Sequence, residues 1–475
     1  MEKSQPKFLY EEIVEKIKNQ ISSGVLRTGD QLPSIRKLSK DLSVSMSTII
    51  QSYIMLEGLG LVESKPQSGY YVRFRQGKVL PEIEVHNPKA VVSKYTGLQL
   101  ASQVHELAKI PNIVSLGSGL PGLDILPVKS INRIIKNLSK NLETTGLMYE
   151  FPPGDYNLRR EIAKNSIEWG CSFTPEEIII TTGAIEAIAI SLKVLAKPGD
   201  TIVVESPSYY VIFQLIESLG MKALEIPTHP RDGIDIKSLR DALKTHKIAA
   251  CLLYPTMNNP LGSVMPEDSR KELYELLSSK NIPLIEANIY GELCFNNSRP
   301  KPIKAIDKKG IVLYIASLSK TIAPGYRIGW ICPGKYFEKI KHFKFTNTLA
   351  TPTLPQAAMA EFLKSSEYER TLRNLRRVYD SRISVLSGYI AEYFPEGTKI
   401  AKPQGGFYLW VELPEQIDSI KLFEQVLKEN ISIAPGPIFS TKKEYSNYIR
   451  LSCACPWTPS IIEGAIKKIG DICKQ

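Results

Sequence analysis

Four side chains between positions 317 and 327 could hold and attack a phosphorylated aldehyde: Ser317, Ser319, Lys320 and Arg327. They follow an apolar run at 311–316 that reads as a buried strand. A lysine just past such a strand is only partly solvated, so its pKa falls and its amine can attack a carbonyl. Two hydroxyls and a planar guanidinium suit a phosphate. Pyridoxal phosphate (PLP) carries both groups and is held by proteins as a lysine Schiff base. The same residues on a surface loop with an ordinary lysine would do none of this, and the stretch alone leaves both readings open.

These groups need elements that bring an anion site and a carboxylate site beside the lysine. The residues at 177–182 read as a strand and those at 184–195 as a helix, with Gly183 at the junction. A glycine there lets backbone amides approach an anion at the positive end of a helix. Further buried strands are expected at 201–204 and 249–253. The second runs into Tyr254-Pro255-Thr256-Met257-Asn258-Asn259-Pro260, where a cis Asn-Pro bond is plausible. The chain also offers Ile113 to Pro121 as a Gly-Pro loop around Gly119, and a strand ending in Arg450.

The first seventy-odd residues have a different pattern. Leu9, Ile13, Ile17 and Ile21 recur at helical spacing over 8–22. Ser34 caps a second helix with Ile35, Leu38 and Leu42 inward, and Ser45 caps a third with Ile49, Tyr53 and Leu56 inward. Short alternating runs at 61–63 and 70–72 form a hairpin around Gly69. Three helices and a wing make a winged helix-turn-helix, a fold that binds DNA or protein. The stretch 73–92, with Arg73, Arg75, Lys78, Pro81 and Asn87-Pro88, suits an exposed connection.

Both halves resemble known families. Leu-Pro-Ser-Ile-Arg, Val-Ser-Met-Ser-Thr and Gly-Leu-Val follow the GntR winged-helix pattern. Ser317-Leu318-Ser319-Lys320, with Arg327 in Ala-Pro-Gly-Tyr-Arg-Ile-Gly, resembles the lysine motif of fold-type I PLP-dependent aminotransferases. Together they resemble the MocR-type transcriptional regulators over nearly the whole chain. The resemblance implies an α/β architecture: a DNA-binding winged helix at 1–74, a linker at 75–92 and an aminotransferase-like domain with large and small lobes at 93–475. It implies that Gly183, Ala184 and Ile185 give backbone N–H groups to the PLP phosphate, with Ser317, Ser319 and Arg327. Tyr209 would stack on the pyridine, Asn259 would donate to its phenolic oxygen, Tyr290, the tyrosine of an Asp-x-x-Tyr pattern, would bind the cofactor, and Tyr149 would reach the partner subunit's phosphate in a homodimer. Lys320 and Tyr290 would be catalytic, and Arg450 and Gly119 would line the substrate side. On the DNA side it implies Arg36, Ser45, Ser47, Thr48 and the wing residue Gly69.

Two departures matter. The family places arginine after the first Ser/Thr of the helix-turn-helix turn, where this chain has Met46, which removes a bidentate contact. The family's Asp-x-x-Tyr, which keeps the pyridine nitrogen protonated, is here Ala287-Asn288-Ile289-Tyr290. Alanine cannot hold that proton, and strand alternation turns Glu286 to the opposite face. Lysine attachment of PLP should survive, and transamination should be crippled.

A 475-residue chain with 43% hydrophobic residues exceeds one small core. A formal charge of +11 permits nucleic acid. Seven cysteines without a CxxC pair, and no apolar signal core or membrane-length run, suggest reduced thiols in a cytoplasmic protein. No metal site is expected. The leading expectation is a DNA-binding regulator whose second domain binds PLP and senses a small amino compound or PLP itself. The alternatives are an aminotransferase acting on an amino acid and a 2-oxo acid, and a scaffold that has lost its cofactor.

Overall fold

The computed structural model describes residues 9–22, 25–26, 30–59, 61–65, 69–72, 80–85, 92–93, 98–140, 147–295, 299–442 and 444–475. The chain forms two compact units: Met1–Val79 with Asp380–Tyr393, and Leu80–Tyr379 with Phe394–Gln475. Much of the linker expected at 75–92 lies outside the described residues, so its length and path are not described.

In the first unit, helices Leu9–Ser22, Ile35–Asp41 and Met46–Gly58 pack around Ile13, Ile17, Leu32, Ile49, Tyr53 and Leu56. Ser34 and Ser45 cap the second and third helices by accepting from the N–H groups of Lys37 and Thr48, which satisfies donors a helix start leaves open. Strands Val62–Lys65 and Gly69–Val72 pair antiparallel as the wing, from Val62 opposite Val72 to Lys65 opposite Gly69. Tyr53 donates its hydroxyl to the carbonyl of Pro33 (2.6 Å) and meets Tyr70 edge-on, tying helix to wing.

The second unit is built on a long sheet. Its order runs from Val92–Ser93 through Lys222–His229, Thr201–Ser206, Ile248–Leu253, Leu284–Ala287, Val312–Ser317 and Ile328–Cys332 to Ile179–Thr182. The run from Lys222–His229 to Val312–Ser317 is parallel, and Ile328–Cys332 is antiparallel to both its neighbours. These strands are buried on both faces, as a sheet covered by helices must be. On one face, helices Tyr156–Ser166 and Thr353–Lys364 cover Ile180, Ala316, Ile328 and Trp330. Further along the same face, Ile236–Thr245 and Glu267–Ser279 cover Val203, Cys251 and Leu284. A smaller antiparallel sheet has the order Lys399–Ile400, Tyr408–Glu412, Tyr448–Ser452, Ala434–Pro435. It forms the small lobe.

Asn259-Pro260 is cis, as are Pro152-Pro153 and Ser206-Pro207. None of the seven cysteines is in a disulfide. Among the described residues no helix is long and apolar enough to cross a membrane, and no cluster of His, Cys, Asp or Glu could hold a metal ion.

Candidate active site and DNA-binding helix

Register builds the anion end of the site. Ser317 pairs with Gly329, and Ile328 with Thr182, so Arg327 falls opposite Gly183. Gly183 has φ +76° and opens the helix Gly183–Leu195; a Cβ there would strike the Arg327 guanidinium. Arg327, itself at φ +56°, donates to Ser319 Oγ at 3.1 Å, and Ser319 Oγ lies 2.9 Å from Ser317 Oγ. Two hydroxyls, an exposed guanidinium and the amides at the start of a helix with Ala184 and Ile185 thus converge on one cradle. This cradle fits a phosphate, and it exists only because position 183 has no side chain.

Glu186, on the first turn of that helix, accepts from the Thr182 N–H (2.6 Å) and from Lys344 Nζ (3.0 Å). The Lys344 side chain is 1% exposed, although the basic helix at 335–344 reads from sequence as solvated. Burial pulls its pKa down while Glu186 pulls it up.

Lys320 Nζ donates to the carbonyl of Gly119 at 2.8 Å. Burial lowers its pKa; Tyr408 opposes this, and Arg450 and Arg327 add to it. A lysine so placed has an accessible neutral, nucleophilic form. Gly119 faces the Tyr408 hydroxyl, which a Cβ would hit. Tyr408 Oη lies 3.4 Å from Tyr290 Oη, which accepts from Asn259 Nδ2 at 3.4 Å. Asn259 and Tyr290 are therefore neighbours, and both are buried.

Arg450 is 1% exposed and, among the described residues, meets no carboxylate. It donates to Asn259 Oδ1 (2.9 Å) and to the carbonyl of Gly117 (2.5 Å), with Tyr408 stacked 4.2 Å from its Cζ and Phe439 at 5.0 Å. Its Nε has no partner. A guanidinium buried against neutral acceptors leaves its charge for a ligand to neutralise.

Tyr209 precedes the helix Tyr210–Ser218 and lies 3.5 Å from His105 Nε2, while Tyr210 Oη is 2.9 Å from the same nitrogen. Burial, with Arg450 and Lys320 nearby, pushes His105 down to about 4, so the ring is neutral at physiological pH. Ala287 ends its strand fully buried. Glu286 accepts from the Ile303 and Lys304 amides (2.8 and 2.9 Å), and is spent there. Asn288 lies against Gly291 with neither side-chain atom partnered. Tyr149 stays apart from this cluster: it is 69% exposed and stacks on Phe151, beside exposed Leu147 and Met148.

In the first unit, Ser45 Oγ lies 2.7 Å from Ser47 Oγ and 2.8 Å from Thr48 Oγ1 at the start of the third helix. Arg36 is exposed on the second helix, and Gly69 begins the wing strand at φ +108°.

Residues 111–469 match the model of aminotransferase class I and II. The chain belongs to that family. Residues 9–72 match the bacterial regulatory proteins of the gntR family, and the fusion is of the MocR type. The HTH-type transcriptional regulator YdcR of Escherichia coli (strain K12) is 35% identical over 98% of this chain and 99% of its own. Aromatic-amino-acid aminotransferase 1 of Thermococcus litoralis is 30% identical over 79% of this chain and 92% of its own. Among solved structures, Pyrococcus horikoshii kynurenine aminotransferase with PMP superposes with TM-score 0.73 at 30% identity, covering 79% of this chain and 94% of that one. The fold is that of fold-type I PLP-dependent transferases behind a GntR winged helix, and the cofactor of this family is PLP.

Family motifs do not point to Tyr408, His105, Tyr210 or Lys344. Tyr210 adjoins Tyr209, and the other three arrive from elements elsewhere in the chain. The aromatic run Phe407-Tyr408-Leu409-Trp410 reads as plain strand core, and only a partner strand carrying Arg450 gives Tyr408 a place in the site.

Proposed function

We propose that this MocR-type protein is a transcriptional regulator that binds duplex DNA through its winged helix. Its aminotransferase-type domain holds PLP and responds to a small amino compound with a carboxylate, or to PLP itself. The observation that carries this reading is Arg450: a buried guanidinium without a carboxylate, in the same site as an amine kept easily deprotonated. Bound PLP would supply an electrophilic carbon and an electron-withdrawing ring.

In this reading Lys320 is the amine that attaches the cofactor. The amides of Gly183, Ala184 and Ile185, with Ser317, Ser319 and Arg327, hold its phosphate. Tyr209 covers the ring, and Asn259 and Tyr290 hydrogen-bond its phenolic oxygen. Arg450 takes the effector carboxylate by two parallel hydrogen bonds, next to Gly119. Tyr149, exposed within an apolar segment, reaches the partner subunit's cofactor phosphate in a homodimer. Arg36, Ser45, Ser47, Thr48 and Gly69 face DNA. Ala287 leaves the pyridine nitrogen without a carboxylate, so binding outlasts turnover.

Two measurements test this together. PLP added to the pure protein should give an absorbance band and a borohydride-fixed adduct on Lys320, both absent in Lys320→Ala. The protein should also retard its own upstream DNA at moderate salt. A colourless protein without adduct overturns the sensor, and absence of specific DNA binding overturns the regulator. Aminotransferase turnover is the second reading, favoured by the site's amine and guanidinium; rates of an ordinary transaminase would establish it.

A further inference from the structure

The third helix of the winged helix carries an apolar ridge on its outer side. Met46 is 53% exposed, Ile50 41% and Ile54 46%, whereas Ile49, Tyr53 and Leu56 on the inner side are 0–1% exposed. Four-residue spacing places the three on one ridge. Their succession along one face distinguishes them from the scattered apolar residues that any surface carries.

The helix Met46–Gly58 contains no lysine or arginine; its one charged residue, Glu57, is at the far end. It therefore has no side chain for the usual bidentate contact to guanine O6 and N7. Its hydroxyls are turned on each other, since Ser45 Oγ engages Ser47 Oγ, Thr48 Oγ1 and the Thr48 N–H (3.1 Å). What projects from the first two turns is Met46 and Ile50, with half-buried Gln51 beside them. In the major groove the apolar feature is the 5-methyl of thymine, and a carboxamide suits adenine N6 and N7. The preceding helix supplies exposed Arg36, Lys37 and Lys40, so the cations that meet phosphates lie beside the ridge rather than on it.

We propose that Met46 and Ile50 read thymine methyl groups, so that this chain selects A·T-rich half-sites where an arginine-bearing relative reads guanine. The inference rests on the DNA-binding reading and adds its base preference. Phosphate contacts from the second helix fix the register, and the ridge excludes water around one or two methyls on the floor of the groove. A second copy of the chain is the competing occupant of the ridge.

The full-length protein is used to select from randomised duplexes, and each thymine of the selected site is then replaced by deoxyuridine, which removes only the methyl. Removing one buried methyl should weaken binding about fourfold, at one or two positions and not elsewhere. Met46→Ala and Ile50→Ala, both at exposed positions, should lose the distinction between thymine and uracil at one position each, and Met46→Arg should shift that position toward guanine. Specific binding that ignores every methyl, or a G·C-rich selected site, overturns the inference and leaves DNA binding intact. Failure to select any duplex overturns the DNA-binding reading, and the inference with it. A change of oligomeric state in Met46→Ala, without loss of methyl discrimination, gives the ridge to a second copy and overturns the inference.

Discussion

Lys320 and Arg450 hang from carbonyls two residues apart on one loop: Lys320 Nζ donates to Gly119 at 2.8 Å and the Arg450 guanidinium to Gly117 at 2.5 Å. The loop thus holds both nitrogens by acceptors that a ligand can replace. An α-amino acid has its amine and carboxylate one carbon apart, and suits a site whose amine and guanidinium share so short a mooring.

Arg450→Lys should keep PLP attachment and weaken amino-acid binding. A planar fork becomes a point charge, and one charged hydrogen bond of about 1.5–3 kcal/mol, or roughly tenfold to hundredfold in affinity, is lost. Absorbance titration of the PLP-loaded protein measures this, with an amine lacking a carboxylate as comparison. Equal weakening for both compounds would remove Arg450 from the carboxylate site.

Ala287→Asp should raise the rate of half-transamination in single turnover with an amino acid. The strand end at 287 is buried beside the lysine strand, with Ala287 opposite Ile315, and a carboxylate there would hold a proton on a ring nitrogen. A rate unchanged from wild type would show that position 287 does not face the ring.

Lys344→Met should weaken phosphate binding from behind the cradle. Glu186 would be left buried and uncompensated on the first turn of the helix that receives the anion, and breaking a buried pair costs about 3–5 kcal/mol. Inorganic phosphate competition and PLP affinity should both fall, and adding Glu186→Gln should restore them. A double variant as weak as the single one would mean that Lys344 acts through packing alone.

Glu205→Gln should stabilise the protein at alkaline pH and not at acid pH. Burial raises the Glu205 carboxyl to about 7, against the Tyr254 N–H and the Asn258 side chain, which lower it. The folded state therefore holds this proton more tightly than the unfolded chain, whose ordinary value is 4.5. The group's contribution to stability is full below that value, is lost as pH rises to about 7, and stays lost above it. Glutamine keeps an acceptor for the Tyr254 N–H (2.7 Å). Thermal unfolding of both proteins at pH 4.5 and pH 8 reads the difference; an equal gap at both would refute it.

Local sequence made the α/β class, the winged helix and the Ser317–Arg327 segment legible because each is written in a contiguous stretch. Lys320 sits three residues past a strand whose burial its own apolar run announces. The cradle needed one more fact, that Ile328 pairs with Thr182, and no local pattern states a register between segments so far apart. The partners of Arg450 were hidden for the same reason: Tyr408 is a neighbour through strand pairing, and Phe439 through a turn of the small lobe. Lys344 misleads in the opposite way. A lysine in a basic helical run looks solvated until an acid from another helix is found beneath it.

The small-lobe sheet carries Arg450, and the turn after an inner strand of the long sheet, Val312–Ser317, carries Lys320. A molecule gripping both would act as a brace between two separately built plates. One that meets only the amine would dock without tightening anything. The protein can therefore gauge a compound by its span as well as its charge, and closely related amines of different length need not give the same response.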